Sequence, residues 1–268
     1  MALTLEERLL LSMAASEEAR DVGATVRYTL DNCLMFPQRT VPDFASFVQG
    51  KTVLDYGCGP GWQAVAMGVR CGAKSVFGLD IRDDWVEHGR ALAAEHNAGQ
   101  VTFGTQVPPE LNGTFDVVIS ISAFEHFADP ARELERMSTL VRPGGTVLLT
   151  WAEPWYSPNG SHFGSYARIP GTEIPIPWMN LFFSDQALLT LRSRFRTDRP
   201  QRLEDVEGGL NRMTIARFER ILKESGLEVH ELTLFPVKGL AGVTRIPVLR
   251  ELLTTAVSCK LRVPGGRS

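Results

Sequence analysis

Residues 53–61 read VLDYGCGPG. Val53 and Leu54 end an apolar run, Asp55 follows, and Gly57, Gly59 and Gly61 alternate before a helical pattern starts at Trp62. Strand, glycine turn and helix start therefore stand in immediate succession. Glycine lets the backbone bend sharply and leaves bare N–H groups for a ligand. The spacing is G-x-G-x-G, with Pro60 before the last glycine, rather than the G-x-G-x-x-G of a dinucleotide site. No Lys-Ser/Thr pair follows, as a P-loop requires. Asp55 would repel a pyrophosphate and attract a cationic group. An amino-acid-like cofactor carrying an ammonium fits this stretch better than a phosphate does.

Outward from the turn, strand and helix alternate from Thr52 onward, which predicts a parallel sheet with crossover helices. Strands are expected over residues 53–56, 75–79, 101–103, 115–121 and 146–151. The fourth, FDVVISI, is apolar throughout, as in a strand buried on both faces. Helices are expected over 62–69 and 84–96, and from Pro130 behind an Asp129 cap, halted by Arg142-Pro-Gly-Gly145. Upstream, residues 3–20 predict a helix with a Thr4/Glu7 capping box and an apolar stripe of Leu5, Leu9 and Met13. After Trp151 the alternation lapses. Residues 152–212 are rich in Pro, Gly and aromatic side chains, with a helix near 185–195. So long a stretch inside a compact domain is functional or disordered, and its aromatic content argues against disorder. Thr214 then caps a helix using Ile215, Phe218 and Leu222. Strands over 227–235 and 257–263 follow, separated by a helix near 247–255.

The composition narrows the function classes. A net charge of -3 offers no basic footprint for nucleic acid. Four cysteines, Cys33, Cys58, Cys71 and Cys259, lie without C-x-x-C spacing and read as reduced thiols in a cytosolic protein. Acidic residues arrive too early in MALTLEERLLL for a signal peptide. No uninterrupted apolar run approaches the roughly 18 residues of a membrane span. A cytoplasmic protein with a small-molecule partner is expected, and a homodimer stays open.

VLDYGCGPG, the Asp80 that ends the second strand, and SISAFEHFADP after the fourth together resemble the class I S-adenosylmethionine-dependent methyltransferases. The resemblance covers roughly residues 45–151 and 213–263. It implies an α/β, Rossmann-like seven-stranded sheet whose last two strands form an antiparallel edge. It also implies an N-terminal helical segment over 1–50 and a methyltransferase domain over 51–268, with 152–212 as a substrate cap inserted after strand 5. The cofactor implied is S-adenosyl-L-methionine, leaving as S-adenosyl-L-homocysteine.

Asp80, about 20 residues past the glycines, is placed to accept hydrogen bonds from both ribose hydroxyls. Ile81 beside it suits the adenine face. The third strand reads VTFGTQ, so Thr105 or Gln106 stands where many members of the family carry an Asp for the adenine amino group. Ser120 and Ile121 fall where the methionine part is held, with Asp55, the glycine amides, Cys58 and Gln63 supplying the rest.

Transfer to a hydroxyl benefits from a general base, and His suits that task. His88 and His96 fall in the second crossover helix, and His230 in a late strand. His162, in WYSPNGSHFG at the head of the insertion, is the first choice for the base. His126, after the fourth strand, is the second. Glu125 would orient either or bind the acceptor. No metal-ligand set is indicated, although a His with Glu125 could hold Mg²⁺ against a sugar diol. Tyr156, His162, Tyr166, Trp178 and Asn211 are the candidate acceptor contacts, and Asn180 and Arg212 would suit bonding a sugar. Trp178, Phe182 and Phe183 read first as the insertion's own core. The leading expectation is O-methylation of a sugar or a glycan or glycolipid precursor. C- or N-methylation of a lipid, quinone or polyketide-like metabolite is the alternative. A nicotinamide-dependent oxidoreductase is disfavoured by the glycine spacing, and a cofactor-binding partner without turnover is the remaining class.

Overall fold

The computed structural model describes residues 3–15, 28–196, 199–206, 209–240 and 242–265. The sheet is built from β1 (Thr52–Tyr56), β2 (Ser75–Leu79), β3 (Val101–Gly104), β4 (Phe115–Ile121), β5 (Val141–Trp151), β6 (Glu228–Pro236) and β7 (Thr254–Arg262). Their order is β3-β2-β1-β4-β5-β7-β6. The first five are parallel, and β7 runs antiparallel to both β5 and β6. The parallel half is the sheet that the βα rhythm implied, and the antiparallel edge is the one that the family resemblance implied. β1 lies between β2 and β4, so its carboxyl end is flanked by loops from both neighbours.

Helices cover both faces because the central strands are apolar on both sides. In chain order they are α1 (Leu5–Ser12), α2 (Met35–Thr40), α3 (Phe44–Val48), α4 (Trp62–Val69), α5 (Asp83–Glu95), α6 (Pro130–Leu140), α7 (Met179–Phe182), α8 (Asp185–Arg192), α9 (Ile215–Glu224) and α10 (Pro247–Leu253). Val53, Val117 and Ile119 pack with α4 and α5 and with Leu34, Val41, Phe44 and Val48 of the N-terminal segment. Leu54, Val118, Val147 and Leu149 pack on the other face with Leu134 and Met137 of α6 and Phe218 and Leu222 of α9. The caps are as the sequence indicates: Asp129 accepts from the Arg132 N–H, and Thr214 accepts from the Arg217 N–H.

The structure departs from the sequence reading in four places. α1 keeps the Thr4/Glu7 capping box and ends at Ser12. Residues 16–20 of the expected helix lie outside the described residues. Its buried side is Leu10 and Glu7, while Leu5 and Leu9 are 84% and 54% exposed. The helix turns that face inward because Glu7 is held by the Thr190 hydroxyl of α8. Arg142-Pro-Gly-Gly145 does not separate helix from strand. β5 starts at Val141, directly after α6, and the register on β4 shifts between Phe115 and Val117. Gly145 permits this, since a Cβ there would lie 2.8 Å from the Asp116 carbonyl oxygen. Finally, Phe182 is 72% exposed rather than part of the insertion's core.

The segment after β5 has a small core of its own. Trp155, Phe163, Tyr166, Met179, Leu188, Leu191 and Leu203 gather around Leu10 of α1, with Phe183 packed against them. Backbone bonds Ala15 N–H to Tyr166 O and Arg168 N–H to Met13 O tie the same two parts. α1 is thus packed into the segment that follows β5.

Candidate active site

Every strand of the parallel half ends at the same edge, and the glycine turn sits at its centre. Gly57, Gly59 and Gly61 all adopt positive φ, at 76°, 54° and 88°. Gly57 and Cys58 donate their N–H groups to the Leu79 carbonyl, which folds the turn over the end of β2. A Cβ on Gly61 would meet the Phe103 ring at 2.8 Å and the Gly89 Cα at 2.9 Å. That glycine lets α4 and α5 close on β3.

Three acidic or hydroxyl groups line this edge. Asp55 is 2% exposed, and its Oδ2 has no hydrogen-bond partner. Burial first, then the nearby Asp80, pushes its carboxyl up to about 7. Such a group is short of a cation. Asp80, 7% exposed, accepts the Gly59 N–H on Oδ2 at 2.9 Å and the Arg82 N–H on Oδ1 at 3.1 Å. Each oxygen keeps acceptor capacity for a further donor. Ser120, fully buried at the end of β4, has an unpartnered Oγ. Ile121 is buried beside it, Ile81 is 92% exposed next to Asp80, and Thr105 and Gln63 are half-buried. Cys58 is buried with its thiol pushed above its usual range by burial. All four cysteines are unpaired and buried.

The remaining candidates lie where the turn after β4 meets the inserted segment. The 3₁₀ turn Phe124–His126 is clasped by residues 209–211. Asn211 N–H donates to the Glu125 carbonyl, and Asn211 Nδ2 donates to the Phe124 and Phe127 carbonyls at 2.9 Å each. His126 Nδ1 is 2.6 Å from the Gly209 carbonyl oxygen. A carbonyl only accepts, so Nδ1 carries a proton, and in the neutral ring the lone pair is then on Nε2. Glu125 is 3% exposed; Oε1 accepts the Ala152 N–H at 3.3 Å and Oε2 has no partner. Burial pushes this carboxyl up to about 7, opposed by the neighbouring His126.

His162 stands edge-on to His126, with ring centroids 5.4 Å apart. His162 keeps some exposed surface, but its ring is packed among protein atoms, and that desolvation pulls its pKa down to about 3. That environment rejects the imidazolium. Tyr166 stacks on Phe195 at 4.9 Å inside the insertion's core, and its hydroxyl accepts from Arg196. Trp178 donates Nε1 to the Leu252 carbonyl, and Asn180 donates to the Trp155 carbonyl. Tyr166 is therefore engaged in the small core after β5, Trp178 ties that segment to α10 and Asn211 ties it to the turn after β4, while Tyr156 stays 40% exposed. His88, exposed on α5, places Nδ1 2.8 Å from the Pro60 carbonyl and so touches the glycine turn. His230 is exposed on the edge strand β6.

One residue escaped the sequence reading. Glu153, two positions past β5, is held by the Ser157 hydroxyl and has its carboxyl raised by burial. A carboxylate just past a strand's carboxyl end was the available signal. Among the described residues, no group of three or more His, Cys, Asp or Glu side chains could hold a metal ion. None of the described helices is long and apolar enough to cross a membrane. A wide hollow of about 650 Å³ between α5 and β3 lies on the sheet's outer edge, and its charged residue, Arg90, is bonded to Glu87 and the Phe103 carbonyl.

The family described as a methyltransferase domain matches residues 35–232. The ubiquinone biosynthesis O-methyltransferase of Pseudomonas paraeruginosa is 40% identical over 105 residues, which are 38% of this chain and 44% of that protein. The enzyme of the same name from Acinetobacter baumannii (strain AYE) is 36% identical over 115 residues, 41% of this chain and 47% of that protein. The chain thus spans a little under half the length of these curated relatives. An S-adenosylmethionine-dependent methyltransferase from Mesorhizobium loti shares the fold, with a TM-score of 0.54 over 87% of this chain and all of that one, at 20% identity.

Proposed function

The chain belongs to the methyltransferase-domain family, and on that premise we propose that it transfers a methyl group from S-adenosylmethionine to a hydroxyl of a small cyclic acceptor. The observation that carries this reading is Asp55, buried beside the three-glycine turn with one carboxylate oxygen unpartnered. A methionine-type ammonium supplies the charge and donors that this oxygen lacks. Asp80 fits the ribose hydroxyls, and the bare turn accommodates a cofactor backbone. When bound, the cofactor supplies a methyl group on a cationic sulfur, the electrophile for in-line displacement.

The chain's own task is then to align the acceptor, exclude water and remove one proton. Of the two histidines, His126 is the better base. Its Nδ1–H is spent on the Gly209 carbonyl, leaving Nε2 to take the proton. His162, half-buried and resistant to charge, packs against it and stays neutral. This reverses the preference drawn from loop position alone.

The acceptor class rests on analogy. The relatives act, by name, in ubiquinone biosynthesis, so a phenolic hydroxyl on a quinone precursor is the first probe and a sugar hydroxyl the second. Calorimetry with S-adenosylhomocysteine, alongside transfer of labelled methyl to both acceptor types, tests the reading. Binding of a nicotinamide dinucleotide in its place would overturn it.

A further inference from the structure

Behind His126 lies a small, partly open chamber that methyl transfer does not require. Glu125, Glu153, Trp155, His162, Leu210, Arg212 and Met213 line it, and its volume is about 10 Å³. That is close to the least space that holds one water molecule. Two of its lining groups are orphaned in opposite senses: Glu125 Oε2 lacks a donor, and Arg212 Nε lacks an acceptor. Glu125 is 3% exposed, so bulk solvent does not satisfy it. Buried polar groups without partners are uncommon, and each costs about 1–3 kcal/mol when left so.

Arg212 is anchored at the other end of its guanidinium. Its Nη2 bonds Asp185 at 2.5 Å and Glu204 at 3.1 Å, and its guanidinium lies 5.1 Å from the centre of the Trp155 ring. Two lining residues, His162 and Arg212, hold left-handed φ of 60° and 52° although neither is glycine. Such conformations persist where the surroundings over-determine them, and they concentrate at functional sites.

We infer that the chamber holds one ordered water, donating to Glu125 Oε2 and accepting from Arg212 Nε, and that Arg212 is thereby a positioning residue for the turn carrying His126. The water connects the inserted segment, through the Arg212 anchor on α8, to the carboxyl end of β4. It leaves Glu125 fully bonded, with Oε1 on the Ala152 N–H and Oε2 on the water. The turn Phe124–His126 is then fixed from the side chain of its middle residue as well as from its backbone.

The kinetic part rests on the proposed role of His126; the structural part does not. A high-resolution crystal structure of the full chain should show one water within hydrogen-bond distance of both atoms. A dry chamber, or direct contact between the two side chains, overturns the proposal. Urea unfolding of Glu125→Gln, Arg212→Lys and the double variant supplies a second test. If one side-chain position distorts the fold, Arg212→Asn, which tolerates positive φ, replaces the lysine. The cycle should show at least a five-fold coupling in the unfolding constant, and additive effects overturn the proposal. In turnover, Arg212→Lys should lower kcat about ten-fold with the KM for S-adenosylmethionine within two-fold. An equal loss in both parameters assigns Arg212 a merely structural role. If no hydroxyl acceptor is found, the crystal and the cycle still decide for or against the water, and only the function reading fails.

Discussion

Replacing Asp55 by Asn should make the free protein more stable and its cofactor site useless. The carboxyl has an ordinary value of 3.8 and is pushed up to about 7 by burial and by Asp80. At pH 8 both the folded and unfolded chains carry the charge, and the folded one bears the penalty. A rise from 3.8 to about 7 corresponds to about 4 kcal/mol. The sign follows from the raised value: the penalty is absent below pH 3.8, grows as pH rises, and is complete above about 7. Asn keeps the shape, but its amide needs partners too, so roughly half of the gain, about 2 kcal/mol or ~4–8 °C in Tm, should be realised. Thermal unfolding at pH 8 and pH 5 measures it, with the variant's advantage shrinking by about half or more at the lower pH. Adding S-adenosylhomocysteine should raise the wild-type Tm and leave the variant unmoved. A variant no more stable than wild type at pH 8, or one still stabilised by the ligand, refutes the assignment of Asp55.

The other expectations are narrower. His126→Asn should lower kcat by about 10²–10⁴-fold while S-adenosylhomocysteine binding by calorimetry stays within a few-fold; near-normal turnover ends the general-base role. His162, depressed from 6.5 to about 3, contributes stability that is intact above pH 6.5 and lost as pH falls toward 3. Its loss should reach about 2 kcal/mol at pH 5. Urea midpoints between pH 7 and pH 5 should fall less steeply in His162→Asn, and parallel curves contradict the burial. Gly61→Ala should cost about 2–4 kcal/mol, because its Cβ meets Phe103 and the Gly89 backbone and its φ is 88°. A midpoint unchanged in urea rejects that packing.

The sheet was legible because its signals are local. VLDYGCGPG, the Asp129-Pro130 cap and the apolar FDVVISI each fix a nearby backbone shape, and β1, α6 and β4 appear within a residue or two of their expected bounds. Arg142-Pro-Gly-Gly145 misled because it carries turn chemistry while lying inside a strand, where only the Asp116 carbonyl opposite explains Gly145. α1 misled for a comparable reason. Periodicity selects Leu5 and Leu9, but a tertiary bond from Thr190 to Glu7 decides which side faces in. The cofactor residues could be proposed from the turn and from strand ends, since a parallel sheet collects those ends on one edge. The second half of the site could not. That His126 and His162 stand edge to edge, and that Glu153 and Arg212 share a chamber with Glu125, depends on how residues 152–212 fold back, and no local pattern encodes that return.

The union of α1 with the inserted segment sets an order on the chain's assembly. Glu6 reaches Ser184 and Glu7 reaches Thr190, across 178 and 183 positions. At ~5–20 residues per second of synthesis, α1 waits roughly 10–40 seconds for its mate. The strands over residues 52–121 are complete well before then. Leu10, which ends with no exposed surface, spends that interval bare to water and to any holdase that samples nascent chains.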